Sequence, residues 1–259
     1  MMRLTERAYF ALCLGLGWLL RCARYAKVRI VELDGECQVR KRRLFYAPLL
    51  VSLSGPLIRL LDTGVVILPQ HDWEERERRV YGRLYGISIR IDADGMLVLP
   101  CLAGKTLAAL LEDAELEESI RKKVIERAVV ALSELHRLGF THGDAMAENV
   151  MIDLEAGIAR WFDFETIHDS NRPMVWRRAD DVRALLVSCL VRTAFEKRAE
   201  VLRLITDVYA DEQVTRLLAT SFTSVLRRPL PFHLAQAPLS FHSFREIARL
   251  LMEKHYLKE

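Results

Sequence analysis

The stretch from His142 to Glu165 reads HGDAMAENVMIDLEAGIARWFDFE, and the interpretation of the whole chain depends on it. It holds two short apolar runs, 150–152 and 159–162, with a polar turn between them that ends at Gly157. Two apolar runs joined by a glycine-containing turn predict a β-hairpin. The polar residues that flank the two runs would then be close neighbours in space.

Three of those polar residues suggest a metal site. Asp144 and Asn149 precede the first run and Asp163 follows the second, so the hairpin would bring two carboxylates and one amide to its open end. These are hard oxygen donors, which suit Mg²⁺ better than zinc. Any one of them alone would be ordinary loop polarity, but the ordered set, together with His142, favours a functional site.

The stretch resembles the catalytic loop and metal-binding segment of the protein-kinase-like superfamily. His142-Gly-Asp144 and Asp163-Phe-Glu165 stand where typical protein kinases have His-Arg-Asp and Asp-Phe-Gly. These variants are similar to the atypical branches, which include aminoglycoside phosphotransferases, RIO-type small kinases and lipopolysaccharide core (Kdo/heptose) kinases.

The resemblance implies an α+β, bilobal protein-kinase-like fold, with a small antiparallel β-sheet lobe plus helix and a mainly helical large lobe. The corresponding division of the chain is an apolar and basic N-terminal helix over 1–27, a small nucleotide-binding lobe over 28–102 and a helical large lobe with the catalytic loop over 103–259.

The same resemblance implies a role for each site residue. Asp144 would accept or orient the proton of the attacking hydroxyl. Asn149 and Asp163 would hold Mg²⁺ against the terminal phosphates of ATP. Lys41 would balance the phosphate charge, and Glu77 would align that lysine.

Residues 28–46 predict the hairpin that carries the lysine, because an Asp-Gly pair lies between two runs rich in β-forming residues. Val39 and Lys41 share one face of the return strand. In kinases the apolar residue at the first of these positions packs on the adenine ring, and the lysine at the second contacts the phosphates. A solvated basic edge is the alternative, with Arg40 or Arg42 as rival phosphate contacts.

Glu77 lies on the apolar side of a helix predicted to run from Asp72, as its N-cap, to Tyr85. Val80 follows it by three positions and belongs to the same buried stripe. A carboxylate there needs a cationic partner, and Lys41 is the expected one.

Two features depart from the protein-kinase pattern. Gly35 stands alone, without a glycine-rich loop to cover the phosphates, which leaves open a pseudokinase that binds partners without catalysis. Met146 stands where protein kinases usually have a lysine, which favours the small-molecule and glycan branches.

The segments around the hairpin give further predictions. Residues 87–91 and 96–99 bracket the turn Asp92-Ala-Asp-Gly95 and predict a second hairpin. Residues 100–102 resemble a kinase hinge, with an ordinary strand-to-helix connection as the alternative. Residues 106–138 are helical, and His136 is expected to be a hydrogen-bonded histidine at a helix end. Beyond the hairpin, 172–178 is expected to be a basic loop.

A helix follows that loop and begins near residue 179, with Asp180 or Asp181 as its cap. The spacing around Asp181 also resembles the helix of lipopolysaccharide core kinases whose aspartate braces the catalytic loop.

Composition limits the class of protein. Hydrophobic content of 51% and charged content of 28% predict a folded globular chain. A net charge of +3 gives no reason to expect a nucleic-acid partner. The five cysteines are scattered without a Cys-x-x-Cys pair, so neither structural zinc nor a disulfide framework is expected, and a reducing compartment fits.

Residues 8–20 are an uninterrupted apolar run. As a helix they would extend about 20 Å, short of the ~30 Å core of a membrane. They either pack on the protein or lie in a membrane interface, with the cations of residues 3–27 at anionic headgroups. The expected location is cytoplasmic, with peripheral contact at the inner face of the membrane.

These features together predict a kinase that moves the γ-phosphate of ATP to a hydroxyl of a lipopolysaccharide-type sugar. A glycolipid acceptor suits an apolar, arginine-bordered N-terminus and a basic loop. An atypical Ser/Thr protein kinase of RIO-like type, an aminoglycoside-type kinase and a pseudokinase binding scaffold remain as alternatives.

Overall fold

The computed structural model describes residues 26–33, 35–44, 64–222, 246–251 and 253. They form an α+β protein with three small antiparallel sheets and several helices. The apolar run at 8–20 lies outside the described residues.

The strands are β1 (Ala26–Leu33), β2 (Glu36–Arg43), β3 (Val65–Ile67), β4 (Arg90–Ile91), β5 (Leu97–Pro100), β6 (Lys105–Thr106), β7 (Val150–Asp153), β8 (Ile158–Trp161) and β9 (Thr166–His168). The helices are α1 (Gln70–Tyr85), α2 (Leu107–Glu112), α3 (Glu118–Arg137), α4 (Met174–Val191), α5 (Arg198–Tyr209) and α6 (Glu212–Ser221). Two short 3₁₀ turns, Ala147–Asn149 and Phe195–Lys197, precede β7 and α5.

The first sheet has the order β1-β2-β5-β4. The predicted hairpin is confirmed, since β1 and β2 pair antiparallel from Ala26 opposite Arg43 to Leu33 opposite Glu36. Gly35 in the turn has φ of 77°, a left-handed conformation that costs glycine little. The second predicted hairpin is also present, as β4 and β5.

The hairpin predicted from the apolar runs 150–152 and 159–162 is confirmed as β7–β8, with Val150 opposite Trp161. β6 pairs with the other edge of β7. Gly104, just before β6, has φ of 103°, and a Cβ there would lie 1.9 Å from the carbonyl oxygen of Ile152. Glycine is therefore required for β6 to approach β7.

A two-stranded sheet of β3 and β9 was not predicted. Hydrogen bonds from Leu68 N to Glu165 O (2.9 Å) and from Asp169 N to Gly64 O (2.8 Å) extend it at both ends. This ladder joins the segment that enters α1 to the segment that follows Asp163.

Two helix starts differ from the prediction. α1 begins at Gln70 after Pro69, so Asp72 is a first-turn residue and not the N-cap. α4 begins at Met174 after Pro173, so most of the predicted basic loop is helical and Asp180 and Asp181 lie inside the helix. In both cases a proline, whose fixed φ and missing N–H suit a helix start, sets the boundary.

The predicted helical region 106–138 forms two helices, α2 and α3, because 113–117 leaves the helical path. Arg121 donates to the carbonyl oxygens of Leu111 (2.5 Å) and Asp113 (2.8 Å) at this break. α3 and α4 both contribute to the core, and residues such as Val124, Leu132 and Leu185 are completely buried.

A disulfide joins Cys37 in β2 to Cys101 just after β5, so the prediction that no disulfide framework forms is wrong. The two cysteines are 64 residues apart in sequence, but strand register makes them neighbours: Gln38 pairs with Pro100, and Cys101 N donates to Cys37 O at 3.2 Å. Spacing along the chain gave no sign of this pairing.

Among the described residues, no helix combines the length and the apolar character needed to cross a bilayer.

Candidate active site

Lys41 lies near the end of β2 with 9% of its side chain exposed. Its Nζ is 2.8 Å from Oδ1 of Asp163 and 3.9 Å from Oε1 of Glu77. The predicted ion pair with Glu77 is present. Burial lowers the pKa of Lys41, but the carboxylates of Asp163 and Glu77 outweigh that effect and the net pKa is raised, so the lysine is charged.

Glu77 is completely buried in α1. Its Oε1 accepts hydrogen bonds from Trp73 Nε1 and from the backbone N–H of Phe164, both at 3.2 Å. Burial raises the pKa of Glu77 to about 7, and the nearby Lys41 limits this increase. The glutamate therefore connects the helix, the lysine strand and the backbone next to Asp163.

Asp163 follows β8 and has φ of 68°, which is rare for a residue other than glycine. A non-glycine residue in this region costs of order 1–3 kcal/mol, and such residues cluster at functional sites. Its side chain remains 34% exposed. Burial opposes ionisation, but the Lys41 ammonium outweighs it and holds the pKa of Asp163 below its ordinary value.

Asn149 ends the 3₁₀ turn before β7 and holds Asp144. Its Nδ2 donates to Oδ2 and to the backbone carbonyl of Asp144, both at 2.9 Å. Phe162 N donates to Asn149 O at 3.0 Å, so Asn149 lies across the hairpin from the residue before Asp163. Because the amide nitrogen of Asn149 donates to Asp144, the amide oxygen is the atom of this side chain that could coordinate a cation.

His142 is buried and braces the loop. Phe162 O can only accept, so Nε2 donates to it at 2.9 Å, and Nδ1 accepts from the backbone N–H of Asp144 at 3.3 Å. Burial lowers the pKa of His142 to about 4, which keeps the ring neutral. This tautomer fixes the backbone position of Asp144 relative to the end of the hairpin.

Asp181 supports the same loop from α4, as the resemblance implied. Its carboxylate accepts from His142 N at 2.7 Å and Gly143 N at 2.8 Å, and it bonds His136 Nε2 at 2.9 Å. His136 also contacts the Tyr209 hydroxyl at 2.6 Å, so the prediction of a hydrogen-bonded helix-end histidine is confirmed. Burial opposes ionisation of Asp181, yet the nearby histidines keep its pKa lowered.

Several neighbours of the site were missed in the sequence. Val28 and Ile30 pair with Lys41 and Val39 and so share their face of the sheet, with 54% and 74% of each residue exposed. The period-two alternation of β1 could have revealed them.

The contacts of two charged residues were also not predicted. Glu165 lies 3.8 Å from Arg43, and burial together with the charge of Asp163 raises its pKa to about 7. Arg76 donates to the carbonyl oxygen of Thr141 and so links α1 to the start of the loop. No local pattern marks either contact.

The donor set fits magnesium in part. Among the described residues, no group of three or more His, Cys, Asp or Glu side chains is arranged to hold a metal. Asp163 already neutralises a cation, Lys41, and the amide oxygen of Asn149 is a second hard donor. Mg²⁺ usually takes one or two carboxylates and completes its shell with water and phosphate oxygens, so a carboxylate and an amide oxygen are the kind of donor that it accepts.

The arginines of 172–178 do not form the expected free basic loop. Arg178 donates to the carbonyl oxygen of His136 at 3.0 Å, and the Arg172 guanidinium lies 5.0 Å from the centroid of the Trp176 ring. They are half-buried and contribute to packing around α4.

No protein-family model matches the chain, and no curated protein is significantly similar to it.

Proposed function

We propose that this protein is an ATP-dependent phosphotransferase of bilobal, protein-kinase-like fold, which transfers the γ-phosphoryl group to a hydroxyl of a lipopolysaccharide-type sugar at the membrane. One observation supports the proposal best. The carboxylates of Glu77 and Asp163 both lie within 4 Å of the Lys41 ammonium, although Lys41 belongs to β2, Glu77 to α1 and Asp163 to the segment after β8.

The proposed chemistry depends on position and charge. The bond between the γ-phosphorus and the oxygen that bridges it to the β-phosphate breaks, a bond from the acceptor oxygen to that phosphorus forms, and the hydroxyl proton passes to Asp144. Asn149 orients the Asp144 carboxylate. Transfer of this kind needs little covalent help from the protein.

The charge of the phosphates is met by two groups. Lys41, already aligned by Glu77, would contact them directly. Asp163 and the amide oxygen of Asn149 would hold Mg²⁺, which supplies positive charge against the terminal phosphates when bound. Val28, Ile30 and Val39 lie on the Lys41 face of the sheet and would cover the adenine.

The acceptor is inferred from the catalytic loop. Met146, which is 5% exposed, occupies the place where protein kinases usually carry a lysine for a peptide hydroxyl. This favours a glycan acceptor over a protein. The arginines at 172–178 give this assignment no support, because they are used in packing.

A pseudokinase scaffold is the second candidate. Two observations favour it: Lys41 is already bonded to Asp163, and Gly35 is the one glycine of the β1–β2 hairpin.

The test combines binding and transfer. ATP with Mg²⁺ should raise the melting temperature of the protein, and label from γ-phosphate-labelled ATP should appear on extracted envelope glycolipid. Asp144→Asn should keep the thermal shift and lose transfer by about 100-fold or more, the usual weight of a general base. Glu155→Gln, in the exposed turn of the hairpin, is the matched control and should retain both.

Each outcome separates the candidates. Transfer of label to added protein but not to glycolipid would indicate an atypical protein kinase. No thermal shift with any nucleotide and no transfer to either acceptor would overturn the enzyme proposal in favour of the scaffold.

A further inference from the structure

The four-stranded sheet has a basic face, formed by Lys27, Arg29, Arg40, Arg42 and Arg90. Strand register places these cations in two rows. Arg29 pairs with Arg40, which pairs with Val98, which pairs with Arg90; Lys27 pairs with Arg42 in the next row. Directly paired residues point to the same side of a sheet, so the five cations share one surface.

The basic face is turned away from the candidate active site. Lys41 and Val39 alternate with Arg40 and Arg42 along β2 and therefore point to the opposite side. Lys27, Arg29, Arg42 and Arg90 are exposed, and Arg40 is partly exposed. These cations are not placed to meet a nucleotide bound beside Lys41.

Fold stability does not explain the cluster. Like charges directly opposite each other in neighbouring strands are destabilising. Arg40 has one acidic partner, Asp92, at 3.5 Å. Within the described part of the chain, no carboxylate lies within ion-pair distance of the other four cations of the basic face. Such a concentration of unneutralised charge stands out on a chain whose net charge is +3.

We propose that the basic face docks on the phosphate headgroups of an anionic membrane. Charge complementarity is the first argument, since each lysine or arginine held near an anionic bilayer adds to binding. The second is sequence continuity. β1 begins at Ala26, immediately after a segment with the apolar run 8–20 and four arginines, at 3, 7, 21 and 24. The strength of peripheral binding grows with the apolar area buried in the membrane interface and with the electrostatic attraction to anionic lipids, and this chain offers an apolar segment as well as a basic surface.

A nucleic acid is the competing polyanion, and the composition of the face disfavours it. Single-stranded nucleic acids are usually held by aromatic side chains on which bases stack. On this side of the four strands, the described residues include no aromatic side chain. The inference goes beyond the contact predicted for residues 3–27, and it does not require the protein to be an enzyme.

The experiment is co-sedimentation of the full chain with vesicles of phosphatidylcholine, with and without phosphatidylglycerol. The triple variant Lys27→Gln/Arg29→Gln/Arg42→Gln should bind the anionic vesicles about 100-fold more weakly, as expected for three surface cations. The triple variant Lys123→Gln/Arg137→Gln/Arg203→Gln removes the same charge from exposed sites on α3 and α5 and should bind like the wild type.

Unchanged vesicle binding by the basic-face variant would overturn the proposal. If that variant also loses binding to a short single-stranded RNA, the face belongs to nucleic acid; if its RNA binding is unchanged as well, any membrane contact belongs to residues outside the sheet. The ATP-dependent thermal shift of the basic-face variant should equal that of the wild type, so failure of this proposal is distinct from failure of the proposed activity.

Discussion

The ammonium group of Lys41 lies 2.8 Å from the carboxylate of Asp163, which is 122 residues further along the chain. The lysine is nearly buried and the aspartate holds a left-handed backbone conformation at this contact. The pair therefore costs the fold both desolvation and backbone strain, and the two residues stay together because Glu77 and the Phe164 backbone fix them from the side of α1.

Replacing Lys41 tests this arrangement. Lys41→Met keeps most of the side-chain length but leaves Asp163 and Glu77 without their cation, and it removes the charge expected to meet the phosphates. Transfer should fall by about 100-fold or more, as when one preorganised stabilising group is removed from an active site. Steady-state transfer with labelled ATP measures the effect. Arg83→Met, an exposed cation on α1, should have no effect, and equal activity of the Lys41 variant would remove the lysine from the proposed role.

His142 and Glu77 are expected to make opposite contributions to the pH dependence of stability. The pKa of His142 falls from 6.5 to about 4 on folding, because the buried ring is held neutral. Its contribution to the free energy of unfolding is therefore lost as the pH drops through that range. The pKa of Glu77 rises from 4.5 to about 7, so its contribution is complete below 4.5 and lost as the pH rises towards 7. Each difference corresponds to about 3 kcal/mol, and the two nearly cancel.

Single variants should expose these slopes. His142→Gln, which keeps a donor for the Phe162 carbonyl oxygen, should become less stable relative to the wild type as the pH rises from 4.5 to 7. Glu77→Gln should become relatively less stable as the pH drops from 6.5 to 4. Urea unfolding across this range measures both. If the free energies of unfolding of the wild type and the variants change with pH in parallel, the pKa shifts of His142 and Glu77 are contradicted.

The Cys37–Cys101 disulfide should contribute to stability. Closing a loop with a sequence separation of 64 residues is worth at most about 4 kcal/mol in the chain-entropy account. Reductant should lower the melting temperature of the wild type. The Cys37→Ser/Cys101→Ser variant should melt at the temperature of the reduced protein and be insensitive to reductant. If the melting temperature of the wild type does not change with reductant, the disulfide does not form in solution.

Two glycine substitutions form a matched pair. Gly104→Ala places a Cβ 1.9 Å from the Ile152 carbonyl oxygen, and both backbones would have to move apart. Gly35→Ala meets nothing within 4 Å and has a similar positive φ. The Gly35 variant should lose about 1 kcal/mol from left-handed strain alone, whereas the Gly104 variant should lose about 3 kcal/mol or more. Denaturant unfolding measures the stability of both variants. Equal losses of unfolding free energy would mean that β6 can move away from β7 at no cost in stability.

The sequence predicted those parts of the molecule that depend on neighbours along the chain. The β1–β2, β4–β5 and β7–β8 hairpins follow from local turns and alternation, and the burial of Glu77 follows from helical periodicity. The Lys41–Glu77 contact was also predicted: a buried carboxylate needs a cation, and the resemblance to kinases implied that the cation is Lys41.

Contacts set by strand register or by distant packing were not predicted. Cys37 and Cys101 carry no spacing signal, and their pairing follows from the alignment of β2 with β5. The two misplaced helix starts have a different cause, since acidic residues were chosen as caps although Pro69 and Pro173 come first. The β3–β9 ladder joins segments about a hundred residues apart, and neither strand is long enough to be recognised alone.

That ladder has a mechanical consequence. Because β3 leads directly into α1 and β9 follows Asp163 by three residues, the helix that carries Glu77 cannot swing outward without pulling on the chain beyond Asp163. Separating α1 from the segment after Asp163 would break the main-chain hydrogen bonds between β3 and β9. We therefore expect α1 and β9 to move together as a rigid unit.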